Sequence, residues 1–221
     1  METPVLVKPG RDDRRAQIVD IAHAAFLSDG YAATSMSTIA ARVGGSKATL
    51  YNYFSSKEEL FAAVVCKKSE QLQVLLHNAQ VEGGDFRSAL QNFGERFLAL
   101  LLREESIATY RLVVAECGRF PELGRTLYET GMKQGRGKLA EYFRQMIAAG
   151  ELRDCDAILM ANYFFDLCMS GIHHRRLWNV ETNPTPEEIH DNVARAIAIF
   201  LAAFGAGNMQ PGEAANLCSS S

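Results

Sequence analysis

The sequence predicts an all-α protein, and three observations carry that prediction. Apolar residues recur at helical spacing in every long segment between Arg11 and Phe204. Helix-start signals stand where such segments begin: Ser56-Lys57-Glu58-Glu59 and Thr185-Pro186-Glu187-Glu188 both have the form of a capping box. No stretch alternates apolar and polar residues over a useful strand length.

Residues 1–10, with two prolines and a glycine, predict a flexible arm. A helix then starts at Arg11, with Ile18, Ile21, Ala22, Ala25 and Phe26 as its apolar stripe and Asp29-Gly30 as its stop. From Thr34 to Lys57 the pattern shortens. Ser35 caps a helix whose Met36, Ile39, Ala40 and Val43 share one face, and Gly44-Gly45 breaks it. Ser46 caps the next helix, in which Leu50 and Phe54 point one way and Lys47, Thr49, Tyr51 and Tyr53 largely another. This is the pattern of a helix-turn-helix, whose second helix enters a DNA major groove.

The remainder is built of longer helices. One runs from Ser56 with Leu60, Phe61, Val64 and Val65 facing apolar neighbours, and Gly83-Gly84 marks a linker. Asp85 caps a helix bearing Phe86, Leu90, Phe93, Phe97 and Leu101. Another, from Ser106 to Cys117, carries Ile107, Tyr110, Val113 and Val114. Pro121 opens a helix reaching toward Gly150, with Gly131, Gly135 and Gly137 in its middle. Each of these costs ~1 kcal/mol against alanine in an exposed helix, which predicts a bend or a close approach there. The segment Asp156–Trp178 is apolar on more than one face and predicts a buried helix. The last helix presents Ile189, Val193, Ile197, Phe200, Leu201 and Phe204, with alanines that permit close approach. The expected organisation is an arm at 1–10, a DNA-binding domain at 11–55, a helical regulatory and dimerisation domain at 56–205 and a disordered tail at 206–221.

Charge narrows the function. Between Gly30 and Lys57 there is no acidic residue, while Arg42, Lys47 and Lys57 give +3; the whole chain carries −3. A confined positive field suits a recognition unit on a neutral body better than a protein that coats nucleic acid. No apolar run reaches the ~20 residues of a membrane span, and the N-terminus has no signal-peptide form. Cys66, Cys117, Cys155, Cys168 and Cys218 are scattered without zinc spacing, so reduced thiols in a cytoplasm and no metal or cofactor are expected. Asp166, Cys168, Ser170, His173 and His174 share one predicted helix and pose the question of an enzyme. Adjacent His173 and His174 point about 100° apart on a helix, and no hydrolase or metal motif surrounds them, so no catalytic residue is assigned.

The run from Gly30 to Leu60 (GYAATSMSTIAARVGGSKATLYNYFSSKEEL) closely resembles the DNA-binding domain of TetR-family transcriptional regulators. The Gly-Tyr end of the first helix, Ile39-Ala40, Gly44, Ser46-Lys47, Thr49-Leu50-Tyr51, Phe54 and Ser56 to Leu60 carry the likeness. Arg111–Gly131 resembles the AefR-like subtype of the regulatory half. Gly45 departs from the family, which usually has a β-branched residue there; Ala48 replaces a frequent glycine.

The resemblance implies a three-helix DNA-binding domain followed by six helices, a homodimer on a palindromic double-stranded operator, and a small-molecule effector that releases it, most often as a repressor. It implies phosphate contacts from Ser35, Thr38, Tyr53 and Lys57, groove-facing roles for Lys47, Thr49 and Tyr51, and a place for Ser46 among the DNA-binding residues; Tyr51 and Tyr53 could instead pack the small domain. The two helices at the C-terminal end are expected to pair with a second copy through Met160, Phe164, Phe165, Val193, Ile197, Phe200 and Phe204. Phe93, Phe97, Tyr110, Tyr128, Met132 and Tyr163 are candidates to line a largely apolar effector pocket, although on periodicity alone such residues are more often core than pocket.

Overall fold

The computed structural model describes residues 10–82, 85–180 and 183–207. The predicted arm and tail, and the Gly83-Gly84 linker, lie almost wholly outside these residues. Helices occupy nearly all of the rest, and the described residues contain no strand beyond a single bridge of Leu152 to Gly205. In chain order they are α1 (Arg11–Asp29), α2 (Met36–Val43), α3 (Lys47–Tyr51), α4 (Lys57–Glu82), α5 (Phe86–Leu101), α6 (Glu104–Glu116) and α7 (Pro121–Thr126). A π-helical segment (Leu127–Met132) leads into α8 (Lys133–Ala148), followed by α9 (Ala157–Met169), α10 (Ile172–Leu177) and α11 (Pro186–Phe204). None of the described helices is long and apolar enough to cross a membrane.

The caps form where their residues predict them. Asp85 accepts the Ser88 amide at 2.8 Å, and Thr185 and Glu188 complete a reciprocal box at 3.2 and 2.6 Å. At the start of α4 the box is displaced by one residue. Ser56 Oγ accepts the Glu59 amide at 3.1 Å, but the Glu59 carboxylate reaches back to the backbone and hydroxyl of Ser55, both at 2.7 Å. Two long predicted helices are interrupted. Gly131 falls within the π-helical segment, and Gly171, at φ 75°, ends the continuation of α9.

The chain divides into two compact units, and the division is not at 55/56. The first comprises residues up to Lys68 together with Thr109–Thr130; the second comprises Ser69–Ala108 and the residues from Gly131 onward. In the first, Ile18, Phe26, Tyr31, Ile39, Leu50, Phe54 and Phe61 form one core with Val113 of α6 and Leu123 of α7. A buried hydrogen bond of 2.7 Å between His23 and Thr109 adds to that attachment of α6 to α1. Residues 109–130, expected to belong to the regulatory domain, therefore pack as part of the DNA-binding unit.

In the second unit α5, α9 and α11 enclose a phenylalanine-rich core with α8 against α9. Gly94 permits a close approach of α5 and α11: a Cβ there would lie 2.6 Å from Val193 Cγ1. Cys66, Cys117 and Cys168 are outside any disulfide, but Cys155 is disulfide-bonded, contrary to the expectation of wholly reduced cysteines.

Candidate nucleic-acid interface

The interface is built from α2, its turn and α3. Ser35 Oγ accepts the Thr38 amide at 3.1 Å, and Ser46 Oγ accepts the Thr49 amide at 3.0 Å, so each short helix is started by a side-chain cap. Each cap hydroxyl also bonds the threonine hydroxyl three residues on, at 2.9 and 2.8 Å. Between the helices Gly44 takes φ 71°, ψ 33°, the left-handed conformation that lets its amide close α2 onto Ala40 and Ala41. Gly45 has no positive φ, and a Cβ there would meet nothing nearer than 3.8 Å. The turn needs one glycine, not two.

Leu50 and Phe54 are buried, which anchors α3, while Ser46, Lys47, Thr49 and Tyr51 are exposed. Tyr51, at 44% exposure, lies on the outer side with Lys47 Nζ 5.8 Å from its ring centroid. Tyr53 is half-buried against the core of the unit, so packing claims part of its ring. Ser35 is exposed and Thr38 half-buried.

The positive field is weaker than the residue count implies. Arg42 is paired with Asp29 at 2.6 Å and bonds Ser28 at 3.1 Å; with Ser28 it holds the Asp29 carboxyl below its usual range. Lys57 is turned inward. Its ammonium donates to the Tyr31 carbonyl at 2.8 Å, stands 4.1 Å from the Tyr31 ring centroid and 5.8 Å from that of Phe120. Burial lowers its pKa despite the nearby Glu58, Glu116 and Glu122. In this conformation the Lys57 ammonium, expected at a phosphate, has an internal acceptor and two aromatic faces. Two cations from α1 lie close by. Arg14 donates to the Val43 carbonyl at 3.0 Å, and the Arg15 guanidinium sits 4.8 Å from the Phe54 ring centroid.

Residues 18–64 match the model of the TetR family of bacterial regulatory proteins, and residues 88–206 match that of the AefR-like transcriptional repressor C-terminal domain. The chain belongs to the TetR family. FasR, a transcriptional activator of Mycolicibacterium smegmatis, is 37% identical over 103 residues, 47% of this chain and 46% of FasR. The chain thus matches less than half the length of that relative. The solved structure of the flavonoid-responsive regulator FrrA is 32% identical, with a TM-score of 0.75 over 88% of this chain and 98% of FrrA. A TetR-family structure from Mesorhizobium loti MAFF303099 is 29% identical, with a TM-score of 0.77 over 89% of this chain and 100% of that one.

The TetR-like regulatory half places several expected residues differently. Met160, Phe164, Val193, Ile197 and Phe200 are 0% exposed, and Phe165 and Phe204 are 4% and 2% exposed. These seven are spent on the core of their own chain and offer no surface to a partner, which corrects the expected interface. Periodicity identified apolar faces but not which neighbour covers them. The exposed apolar residues of these helices include Ile158 and Tyr163 of α9 and Ala198, Ile199 and Ala202 of α11.

Of the six pocket candidates, Phe93 and Phe97 are buried and stack in the core of the second unit, where Tyr163 is 44% exposed; Tyr110 and Tyr128, the latter 51% exposed, belong to the first unit. The possible catalytic helix likewise divides. Cys168 faces the core with its thiol pushed up to about 12 by burial, while Asp166 is outside, 3.2 Å from Arg136. His173 is buried and His174 exposed beyond the Gly171 break. A buried neutral thiol with no base aimed at it is not a nucleophile.

Proposed function

We propose that the protein is an effector-released repressor that acts in the cytoplasm and binds a palindromic double-stranded DNA operator as a homodimer. The observation that carries this reading is α3: a capped helix held by Leu50 and Phe54, with Lys47, Thr49 and Tyr51 on its open side. Lys47 is suited to guanine O6/N7, Thr49 to a thymine methyl or phosphate, and Ser35, Thr38, Ser46 and Tyr53 to the flanking backbone. A single such helix reads few base pairs, and two half-sites about 34–36 Å apart supply the rest. Tyr163, Ile199, Ala198 and Ala202 are the surface through which α9 and α11 would meet a second copy, the alanines allowing the helices to approach. FrrA is named for its response to flavonoids, which supports a small, largely apolar effector binding within the helical regulatory half. Such an effector would act by preferring the dimer whose recognition helices are wrongly spaced for DNA. FasR is an activator, so the sign of regulation is the part to test separately.

Selection of duplexes from a random pool by the purified protein tests the reading. Recovery of a two-fold symmetric site, bound by a dimer in sedimentation, is the expected result. Recovery of no site, or binding by a monomer, would refute it. A reporter driven from the selected site rises on deletion of the gene if the protein represses and falls if it activates.

A further inference from the structure

Gly44 supplies the left-handed turn by itself, so backbone conformation gives no reason for the second glycine, Gly45. What lies beside Gly45 does. The nearest atom to a Cβ built there is Nη2 of the Arg14 guanidinium at 3.8 Å, followed by Cβ and Cγ2 of Thr49 at 3.9 Å. The guanidinium thus lies against bare backbone where the chain turns from α2 into α3.

Arg14 stands in the first turn of α1 and is half-buried. One arm of its fork, Nη1, donates to Gln17 Oε1 at 2.6 Å on the same helix; the other, Nη2, donates to the Val43 carbonyl at 3.0 Å. Val43 is the last residue of α2, and a helix leaves its last carbonyls without intrahelical donors. The amides of Gly44 and Gly45 close onto Ala41 and Ala40, each at 3.2 Å, and Arg14 serves the carbonyl beyond them. A cation there also meets the negative end of the helix dipole. Arg42, the residue before Val43, runs the other way, to Ser28 and Asp29 in the last turn of α1. The carboxyl end of α2 is therefore held to α1 from both ends of that helix.

We infer that Arg14 is a positioning residue for the recognition helix: its guanidinium, admitted by the missing side chain of Gly45, ties the carboxyl end of α2 to α1 and fixes the angle at which α3 leaves the turn. It touches no base and acts through Val43 and the turn on Lys47, Thr49 and Tyr51. A methyl on Gly45 stays at contact distance, but a β-branched side chain carries two further carbons about 1.5 Å beyond Cβ, toward the space held by Arg14 and Thr49. This role deepens the proposed function and rests on it for the DNA measurements alone.

Full-length wild type, Arg14→Met, Arg14→Lys, Gly45→Ala, Gly45→Val and the Arg14→Met/Gly45→Val pair are compared. Methionine keeps the apolar stem and the helix propensity of arginine and removes every donor. Binding is read across a salt series on two fluorescein-labelled duplexes, one recovered by the selection above and one of scrambled sequence. Arg14→Met and Gly45→Val should each lose roughly ten-fold in discrimination between the two, the scale of one spoiled base contact. The pair should lose no more than either, since valine acts by displacing the same guanidinium. Arg14→Lys, which keeps a donor for Val43, should recover part of the loss, and the slope of log K against log salt should stay as in wild type. A slope smaller by about 0.9 in Arg14→Met, with equal loss on both duplexes, would make Arg14 a phosphate contact and overturn the inference. Unchanged discrimination in Arg14→Met would leave only a structural tie and overturn it equally. Hydrogen exchange of the free protein over residues 44–52 tests the tie without DNA. Loss of a charge-assisted hydrogen bond predicts roughly five-fold faster exchange in Arg14→Met and Gly45→Val, with no acceleration in Gly45→Ala. If the selection returns no duplex, the proposed function fails, while unchanged exchange in Arg14→Met refutes the tie on its own.

Discussion

Gly44 and Gly45 are adjacent and chemically identical, and the structure assigns them opposite responses to the same substitution. Gly44 sits at φ 71°, and a Cβ there would meet nothing within 4 Å, so the penalty for alanine is purely conformational. A left-handed L-residue costs about 1–2 kcal/mol, partly offset by about 0.4–1 kcal/mol from restricting the unfolded chain. The net for Gly44→Ala is a loss of about 1 kcal/mol. Gly45 has no positive φ, and its nearest Cβ neighbours would be Arg14 at 3.8 Å and Thr49 at 3.9 Å, ordinary contact distances. Gly45→Ala therefore gains about 0.4–1 kcal/mol from the unfolded state. The two variants should differ by about 1–2 kcal/mol, which for a urea slope of about 1–3 kcal/mol/M separates their midpoints by roughly half a molar or more. Far-UV circular dichroism is the suitable probe, because the single tryptophan, Trp178, is 70% exposed. Protein concentration must be the same throughout, since self-association adds to apparent stability. Equal losses in Gly44→Ala and Gly45→Ala would refute the assignment of the turn to Gly44 alone. Gly44→Asn, which tolerates the left-handed region better, should fall between Gly44→Ala and wild type.

Lys47→Ala should lose discrimination at one position of the operator, by about 1–3 kcal/mol if the lysine reads guanine, measured by competition with single-base variants of the selected duplex; a uniform loss on all duplexes would mean a phosphate contact instead. Gly94→Ala gains about 1 kcal/mol of helix propensity but drives a methyl to 2.6 Å from the buried, rotamer-restricted Val193 side chain, so a net loss of about 1–2 kcal/mol is expected. In a Val193→Ala background the same change should stabilise, and equal effects in both backgrounds would show that the clash is not the cause. Cys168 titrates in the folded chain near about 12 against an ordinary 9.0. The unfolded thiol loses its proton first, so the folded state holds more protons in that window and stability falls as pH rises from about 9 toward 12. Cys168→Ala should remove that contribution; parallel alkaline stability curves for the two proteins would count against it.

Residue order alone determined most of the fold. The 3.6-residue period, the Ser46, Asp85 and Thr185 caps and the Gly44 break are local, and local geometry enforces them whatever packs nearby. The open side of α3 was legible for the same reason, because Leu50 and Phe54 can only be buried together by turning Lys47, Thr49 and Tyr51 outward. What depended on tertiary structure was the choice of partner for each face. An apolar stripe announces that it will be covered, not by what: Phe164, Val193 and Phe200 resemble a dimer surface in one dimension and are core in three. A lysine beside a recognition helix announces a charge, not its direction. Tyr31 and Phe120 lie 26 and 63 positions from Lys57 in the chain, and only the fold brings their rings to its ammonium. Helices formed by local bonds thus follow from sequence, whereas the destination of a side chain depends on long-range neighbours that no local period encodes.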